Sequence, residues 1–262
     1  IVSGSLVERN RIFTDYLQNG VEVTSNGSEG EDNHIVYLVD YKAPKNNTFQ
    51  VVNQFTVVGN AEKRADVVLF VNGLPLVVIE LKNPSNPETT VHDAYLQLRN
   101  YQHDIPELFV YNQICVISDM VSTRAGSLTS SESWFREWKS IDGEVEDKTV
   151  GNFETLFVGL LEPTRLLDVI KNFICFDGDK IKILAGYHQY FAVRKAIEKA
   201  KCEYGYLCDS LLSNSNAILK NAVAMICKKA SDITLEYKHI ELILEVMKNH
   251  QKLDNEMQAE AH

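Results

Sequence analysis

The chain has 262 residues, 45% of them hydrophobic, and a formal net charge of −10. That apolar content suits one large or two modest domains with a sizeable core, and no apolar run approaches the ~20 residues of a membrane span, so a soluble globular protein is expected. The acidic balance argues against a simple nucleic-acid binder, which carries a basic excess, and the five cysteines, lacking Cys-x-x-Cys pairs or zinc-like histidine spacing, read as reduced cytosolic thiols.

Ile1 opens the chain without an initiator Met or a basic-plus-apolar leader, which reads as an excerpt or a processed start. Leu6 to Asn19 has helical periodicity, with Leu6, Val7, Ile12, Phe13, Tyr16 and Leu17 as buried positions and Gly20 as the stop. TSNGSEGEDNH (24–34) reads as a polar loop. HIVYLVDY (34–41) and TFQVVNQFTVV (48–58) read as strands joined by the turn-prone APKNN segment. They lead into the stretch around which the rest is organised, ADVVLFVNGLPLVVIELK (65–82), whose Asn72-Gly73 step between two Val/Ile/Leu-rich runs predicts a β-hairpin.

NPSNPETT (83–90) is a loop ending in threonines able to cap a helix from about Val91 to His103. LFVYNQICVISD (108–119) reads as an apolar strand and RAGSLT (124–129) as a short one. SSESWFREWKS (130–140) reads as a helix placing Trp134, Phe135 and Trp138 on one core-docked face. The polar, acidic IDGEVEDKTV (141–150) is a connector, so a first domain is expected over residues 1–148 and a mostly helical segment over 149–262. In that segment FETLFVGLL (153–161) and TRLLDVIKNFICF (164–176) are helices, and KIKILAGYHQYFAVRKAIEKAK (180–201) passes from a strand into a helix carrying Gln189. Residues 203–262 read as two or three further helices, with periodic stretches at 217–230 and 240–253. No internal repeat, dinucleotide fingerprint or long heptad run occurs.

The central hairpin carries charge where a buried strand pair should not. Nearly every position from Val67 to Ile79 is apolar, yet Asp66 opens the first strand and Glu80 and Lys82 close the second. Side chains alternate along a strand, so Glu80 and Lys82 point the same way. Asp66 joins them only if the register is odd. A strict two-residue loop at Asn72-Gly73 pairs Asp66 with Ile79, whereas a three-residue loop or one bulge shifts the pairing by one. The odd register is expected, because it brings all three groups to one face. Two carboxylates can then hold Mg²⁺, which activates water against a phosphodiester, while Lys82 orients the water or offsets developing charge. Solvated strand ends and an ordinary ion pair are the bland alternative. Lys63 and Arg64 are the local candidates for phosphate contact. His92 and His103 are set aside as incidental, because the metal route needs no histidine.

Asp66 followed by Glu80-x-Lys82 resembles the PD-(D/E)xK nuclease superfamily. The segments VVNQFTVVG (51–59), ADVVLFVNGLPLVVIELKNP (65–84), DAYLQLRNYQHDIPELFVYN (93–112), VISD (116–119) and KILAGYHQYFAVRKA (182–196) resemble the N-terminal region of the restriction subunit of type I restriction enzymes. The resemblance implies an α/β nuclease domain with a mixed central sheet flanked by helices. It makes Asp66 and Glu80 ligands for Mg²⁺ or Mn²⁺ and Lys82 catalytic. It also implies a supporting Gln-x-x-x-Tyr element in Gln97 and Tyr101, which share one helix face at i and i+4. Many folds of that superfamily place a first-helix acid near the metal, and Glu8 is the candidate, although favourable placement at a helix N-terminus explains it more simply. The expected partners are double-stranded DNA and the modification and specificity subunits of a type I complex, with weak DNA affinity in this acidic chain alone. Gln189 resembles the adenine-reading glutamine at the entry to an ATP motor, but no G-x-x-x-x-G-K-[S/T] string follows. ATP hydrolysis is therefore expected only of full-length family members. Two alternatives stand beside the nuclease: an inactive nuclease-like assembly module contacting sister subunits through the helical tail, which gains if Asp66, Glu80 and Lys82 do not share one face, and a stand-alone repair or resolvase-like nuclease, for which a basic groove is expected.

Overall fold

The structure is a computed structural model that describes residues 3–27, 30–83, 85, 89–148, 152–178 and 180–198. The expected helices within 203–262, including 217–230 and 240–253, lie outside the described residues. Ile1–Val193 form one compact unit.

Helix α1 (Leu6–Asn19) starts at a capping box in which the Ser5 hydroxyl accepts the Glu8 N–H and the Glu8 carboxylate accepts the Ser5 N–H. It stops at Gly20, whose φ of 85° suits a residue without Cβ. Its buried face is Asn10, Phe13, Thr14 and Leu17, whereas Tyr16 is 37% exposed. Periodicity alone omits the two polar members, which are buried because they are bonded: Asn10 Nδ2 donates to the Phe109, Val110 and Asn112 carbonyls.

The polar stretch 24–34 is not a loop. Strands β1 (Val21–Gly27) and β2 (Gly30–Val36) form a two-stranded antiparallel ribbon. From Thr24 and Asn33 outward its register pairs polar with polar, so that part carries none of the apolar alternation by which a strand is recognised. The strand expected over 34–41 ends at Val36, and the next residues turn so that Val39 enters the core.

The main sheet has five strands in the order β3-β4-β5-β6-β7: β3 (Phe49–Val58), β4 (Glu62–Val71), β5 (Leu74–Leu81), β6 (Ile114–Ser118) and β7 (Thr123–Gly126). All neighbours are antiparallel except β5 and β6, which are parallel. The crossover between those two holds α2 (Val91–Asp104) and α3 (Pro106–Tyr111). The sheet is therefore mixed and covered on both faces. Val68, Val78 and Ile117 pack under Leu98, Tyr101, Leu108 and Phe109 on the crossover side. Val77, Ile79 and Val116 face Phe13 and Leu17 of α1, with residues of α4 (Phe153–Leu160) and α5 (Pro163–Asn172).

Three apolar runs adopt other forms than their composition predicts. The run 108–119 is split: Pro106 starts a short helix, Asn112 and Gln113 end it, and only Ile114–Ser118 is strand. Residues 130–140 form no α-helix; a 3₁₀ turn at Glu132–Trp134 precedes a bridge from Arg136 to Ala125. Extended backbone sends Phe135 and Trp138 to opposite faces of the sheet and leaves Trp134 66% exposed. The helix expected to reach 176 ends at Asn172, and β8 (Ile174–Asp177) pairs with β9 (Ile181–Leu184). A helix then opens at Tyr187.

Strand β9 is tied into the core by a buried cation. Lys182, 2% exposed, donates to Asn10 Oδ1, the Asn112 carbonyl and Gln113 Oε1, each at 2.9 Å. Burial holds its ammonium well below the usual lysine range. Neutral oxygens from α1 and the α3–β6 junction thus take the place of a carboxylate partner.

Candidate active site

The hairpin β4–β5 turns at Asn72-Gly73, with φ of 51° and 80°, as a two-residue primed turn requires. Near the turn Val71 pairs with Leu74 and Phe70 with Pro75; beyond it Leu69 pairs with Val77. Leu76 is the extra residue of a β-bulge, and the odd register expected from the charges is present. Val67 opposes Ile79, so one further step in that register sets Asp66 opposite Glu80 on the crossover side of the sheet. Glu80 also lies beside Ile117 of β6.

Asp66, Glu80 and Lys82 therefore converge. The Leu81 N–H donates to Asp66 Oδ2 at 2.9 Å, and Lys82 Nζ donates to Glu80 Oε1 at 2.8 Å. Glu80 is 3% exposed, and its second oxygen, Oε2, is buried with no protein hydrogen-bond partner. Burial, opposed by the Lys82 bond and reinforced by the Asp66 charge, raises the Glu80 carboxyl above the usual carboxylate range.

Helix α2 supplies the ceiling. Tyr101 is 4% exposed, and its hydroxyl donates to the Arg64 carbonyl at 2.9 Å. Burial first, then the Glu80 charge, push its phenol upward, while the Gln97 amide one turn earlier bears on the same hydroxyl. Gln97 and Tyr101 thus sit beside the acidic pair, as the helical spacing implies.

Other residues singled out by sequence lie elsewhere or are engaged. Glu8 is committed to its capping box. Lys63 is paired with Asp104 at 3.0 Å, and the Arg64 side chain is exposed. His92 and His103 pair with Glu132 and Asp104. Gln189 is exposed and accepts the Gly186 N–H, which caps the helix that begins there. Two contributors escaped the sequence reading: the Leu81 N–H, which no side-chain pattern reveals, and Gln54 of β3, whose Nε2 donates to Asp66 Oδ1 at 3.1 Å.

These residues fit a hard divalent cation. Among the described residues no group of three or more His, Cys, Asp or Glu side chains converges, so the protein offers two carboxylates. Mg²⁺ is commonly held in that way, with water and phosphate oxygens completing its shell. A buried, orphaned carboxylate oxygen such as Glu80 Oε2 is costly without a partner and gains one from a metal ion.

A mixed sheet covered by helices on both faces, with Asp66 on one hairpin strand and Glu80-x-Lys82 closing the next, defines a nuclease-like α/β fold. The family follows from comparison with known proteins: the model of the type I restriction enzyme R protein N terminus matches residues 2–134, and the chain belongs to that family. Relatives include the type I restriction enzyme HindI endonuclease subunit of Haemophilus influenzae, 39% identical over 206 residues, covering 74% of this chain and 19% of that protein. The putative MjaIXP endonuclease subunit of Methanocaldococcus jannaschii is 32% identical over 212 residues, covering 73% and 20%. The EcoprrI endonuclease subunit of Escherichia coli is 29% identical over 214 residues, covering 77% and 64%. The chain matches about a fifth of the length of the first two.

Proposed function

We propose that this chain carries the nuclease site of a type I restriction endonuclease and hydrolyses phosphodiester bonds of double-stranded DNA with Mg²⁺, or Mn²⁺ in its place. The observation that carries the reading is the junction of Asp66 with a Glu80 whose Oε2 is buried and unpartnered, beside the Lys82 ammonium. Asp66 and Glu80 would hold the cation, whose chemistry is to acidify a water and offset charge on the phosphate. Lys82 holds Glu80 Oε1, keeps part of that carboxylate's charge favourable despite burial, and stands as the cation nearest the departing charge. Tyr101 and Gln97 wall the acidic pair from the crossover side and keep it partly dry, which strengthens each electrostatic interaction there.

The acidic chain is poorly suited to gripping DNA unaided, so modification and specificity subunits would supply grip and sequence recognition in the cytoplasm. Among the described residues no helix is long and apolar enough to cross a membrane. ATP binding through Gln189 belongs in this reading to the longer family members. The test is nicking of supercoiled plasmid in Mg²⁺ or Mn²⁺ by the chain and by Asp66→Ala, Glu80→Ala and Lys82→Ala, with calorimetric metal titrations alongside. Nicking, or metal binding without nicking, lost in both carboxylate variants supports the site; the second outcome assigns activation to the partner subunits. Metal binding unchanged in both refutes it.

A further inference from the structure

Gln54 stands at an unusual point of β3. In the β3–β4 register Asn53 opposes Val67 and Phe55 opposes Ala65, which leaves Gln54 facing Asp66, but its own pairing is skipped and its φ is 53°. Left-handed backbone is unfavourable for a residue with a Cβ and natural for glycine. A glycine would allow the same kink without strain, so the kink alone gives no reason for a glutamine. The side chain does: its Nε2 reaches Asp66 Oδ1, while Oδ2 takes the Leu81 N–H. Gln54, Asp66 and Glu80 therefore form one row across β3, β4 and β5.

We infer that Gln54 is a positioning residue of the metal site: its amide and the Leu81 N–H clamp the Asp66 carboxylate from both oxygens. Each oxygen keeps a second lone pair, so the clamp and a cation are compatible. Groups that hydrogen-bond a ligating carboxylate fix its orientation, and their loss typically weakens metal binding about 10–100-fold. The inference rests on Asp66 and Glu80 being the ligands.

The test uses the full chain, Mn²⁺ as the probe, and two readouts, calorimetric affinity and metal-free thermal stability. Gln54→Gly relieves the backbone and deletes the clamp; Gln54→Asn suits the left-handed backbone but holds its amide one methylene short. Both are expected to weaken Mn²⁺ binding about 10-fold or more, with Tm unchanged or raised, a divergence that a purely structural role does not produce. Affinity within about twofold of the native chain in both variants, while Asp66→Asn and Glu80→Gln abolish binding, overturns the clamp and leaves the metal site standing. Native protein that binds no Mn²⁺ overturns the site and the clamp together. A fall in Tm that accounts for the whole affinity loss also overturns it, since Gln54 would then serve the fold.

Discussion

Replacing Glu80 by Gln tests the site in opposite directions with and without metal. In the metal-free fold the ionised carboxylate is desolvated and Oε2 has no partner. An orphaned buried acceptor costs about 1–3 kcal/mol, and the Lys82 bond returns part of that. A neutral amide still accepts from Lys82 and, although its Nε2 is left as unpartnered as Oε2 was, sheds the desolvated charge, so Glu80→Gln should stabilise the metal-free chain at pH 8 by about 1–2 kcal/mol. At the ~2–4 °C per kcal/mol typical of a folded unit of this size, that raises Tm by roughly 2–8 °C. The pH dependence has a fixed sign. Because the folded carboxyl is raised above its ordinary 4.5, the native chain binds its proton more tightly when folded. Its contribution is intact below the unfolded value and is lost as pH rises through the folded one. The advantage of the variant must therefore appear above the folded pKa and vanish below 4.5. At about 100 times its Kd, Mn²⁺ stabilises a protein that binds it only when folded by ~2.7 kcal/mol, so the native chain then overtakes a variant that cannot bind. Differential scanning calorimetry at pH 8 and pH 4, in chelator and in Mn²⁺, reads all four conditions. A variant less stable than native in chelator at pH 8, or a gain undiminished at pH 4, refutes the reasoning.

Lys82→Ala should abolish nicking while leaving Mn²⁺ bound, and should move the pH midpoint of binding upward, because the ammonium is what lowers Glu80; metal titrations across pH check both. Deleting Leu76 removes the bulge but leaves the pairs beyond it, Val67 with Ile79 and so Asp66 with Glu80, in place, so Mn²⁺ binding should survive in the protein that folds, as followed by circular dichroism and calorimetry; binding lost in folded protein would refute the register argument. Lys182→Met should cost about 3 kcal/mol or more in urea melts, since it leaves the oxygens of Asn10, Asn112 and Gln113 buried without their shared donor; stability equal to native would show that the cage is dispensable. A fragment of residues 1–148 should fail to show a cooperative transition that residues 1–198 do show, because it lacks both Lys182 and the α4–α5 half of one core layer.

The hairpin and its odd register were legible because charge at the end of an apolar strand pair has few solutions, and Asn72-Gly73 names the turn. The helix over Val91–Asp104 was legible from its cap and period. What stayed hidden depends on contacts remote in sequence. Asn10 and Thr14 look like surface residues until Lys182 arrives over them, and Gln54 looks like a strand residue because φ is not written in composition. The outer part of the β1–β2 ribbon, from Thr24 and Asn33 onward, is polar in sequence on both strands, so period-2 reasoning has nothing to detect there. The aromatic trio misled because i, i+1 and i+4 spacing suits a helix, whereas alternate faces of extended chain place Phe135 and Trp138 equally well.

The Lys182 cage sets an order of events during synthesis. Asp66, Glu80 and Lys82 emerge early, yet the oxygens waiting at α1 and the α3–β6 junction find their donor only when β9 has been made. At ~5–20 residues per second, several seconds separate Lys82 from Lys182. Throughout that interval the nascent chain holds the acidic pair in an unfinished fold. The finished surroundings of that pair are thereby withheld until translation has run well past it.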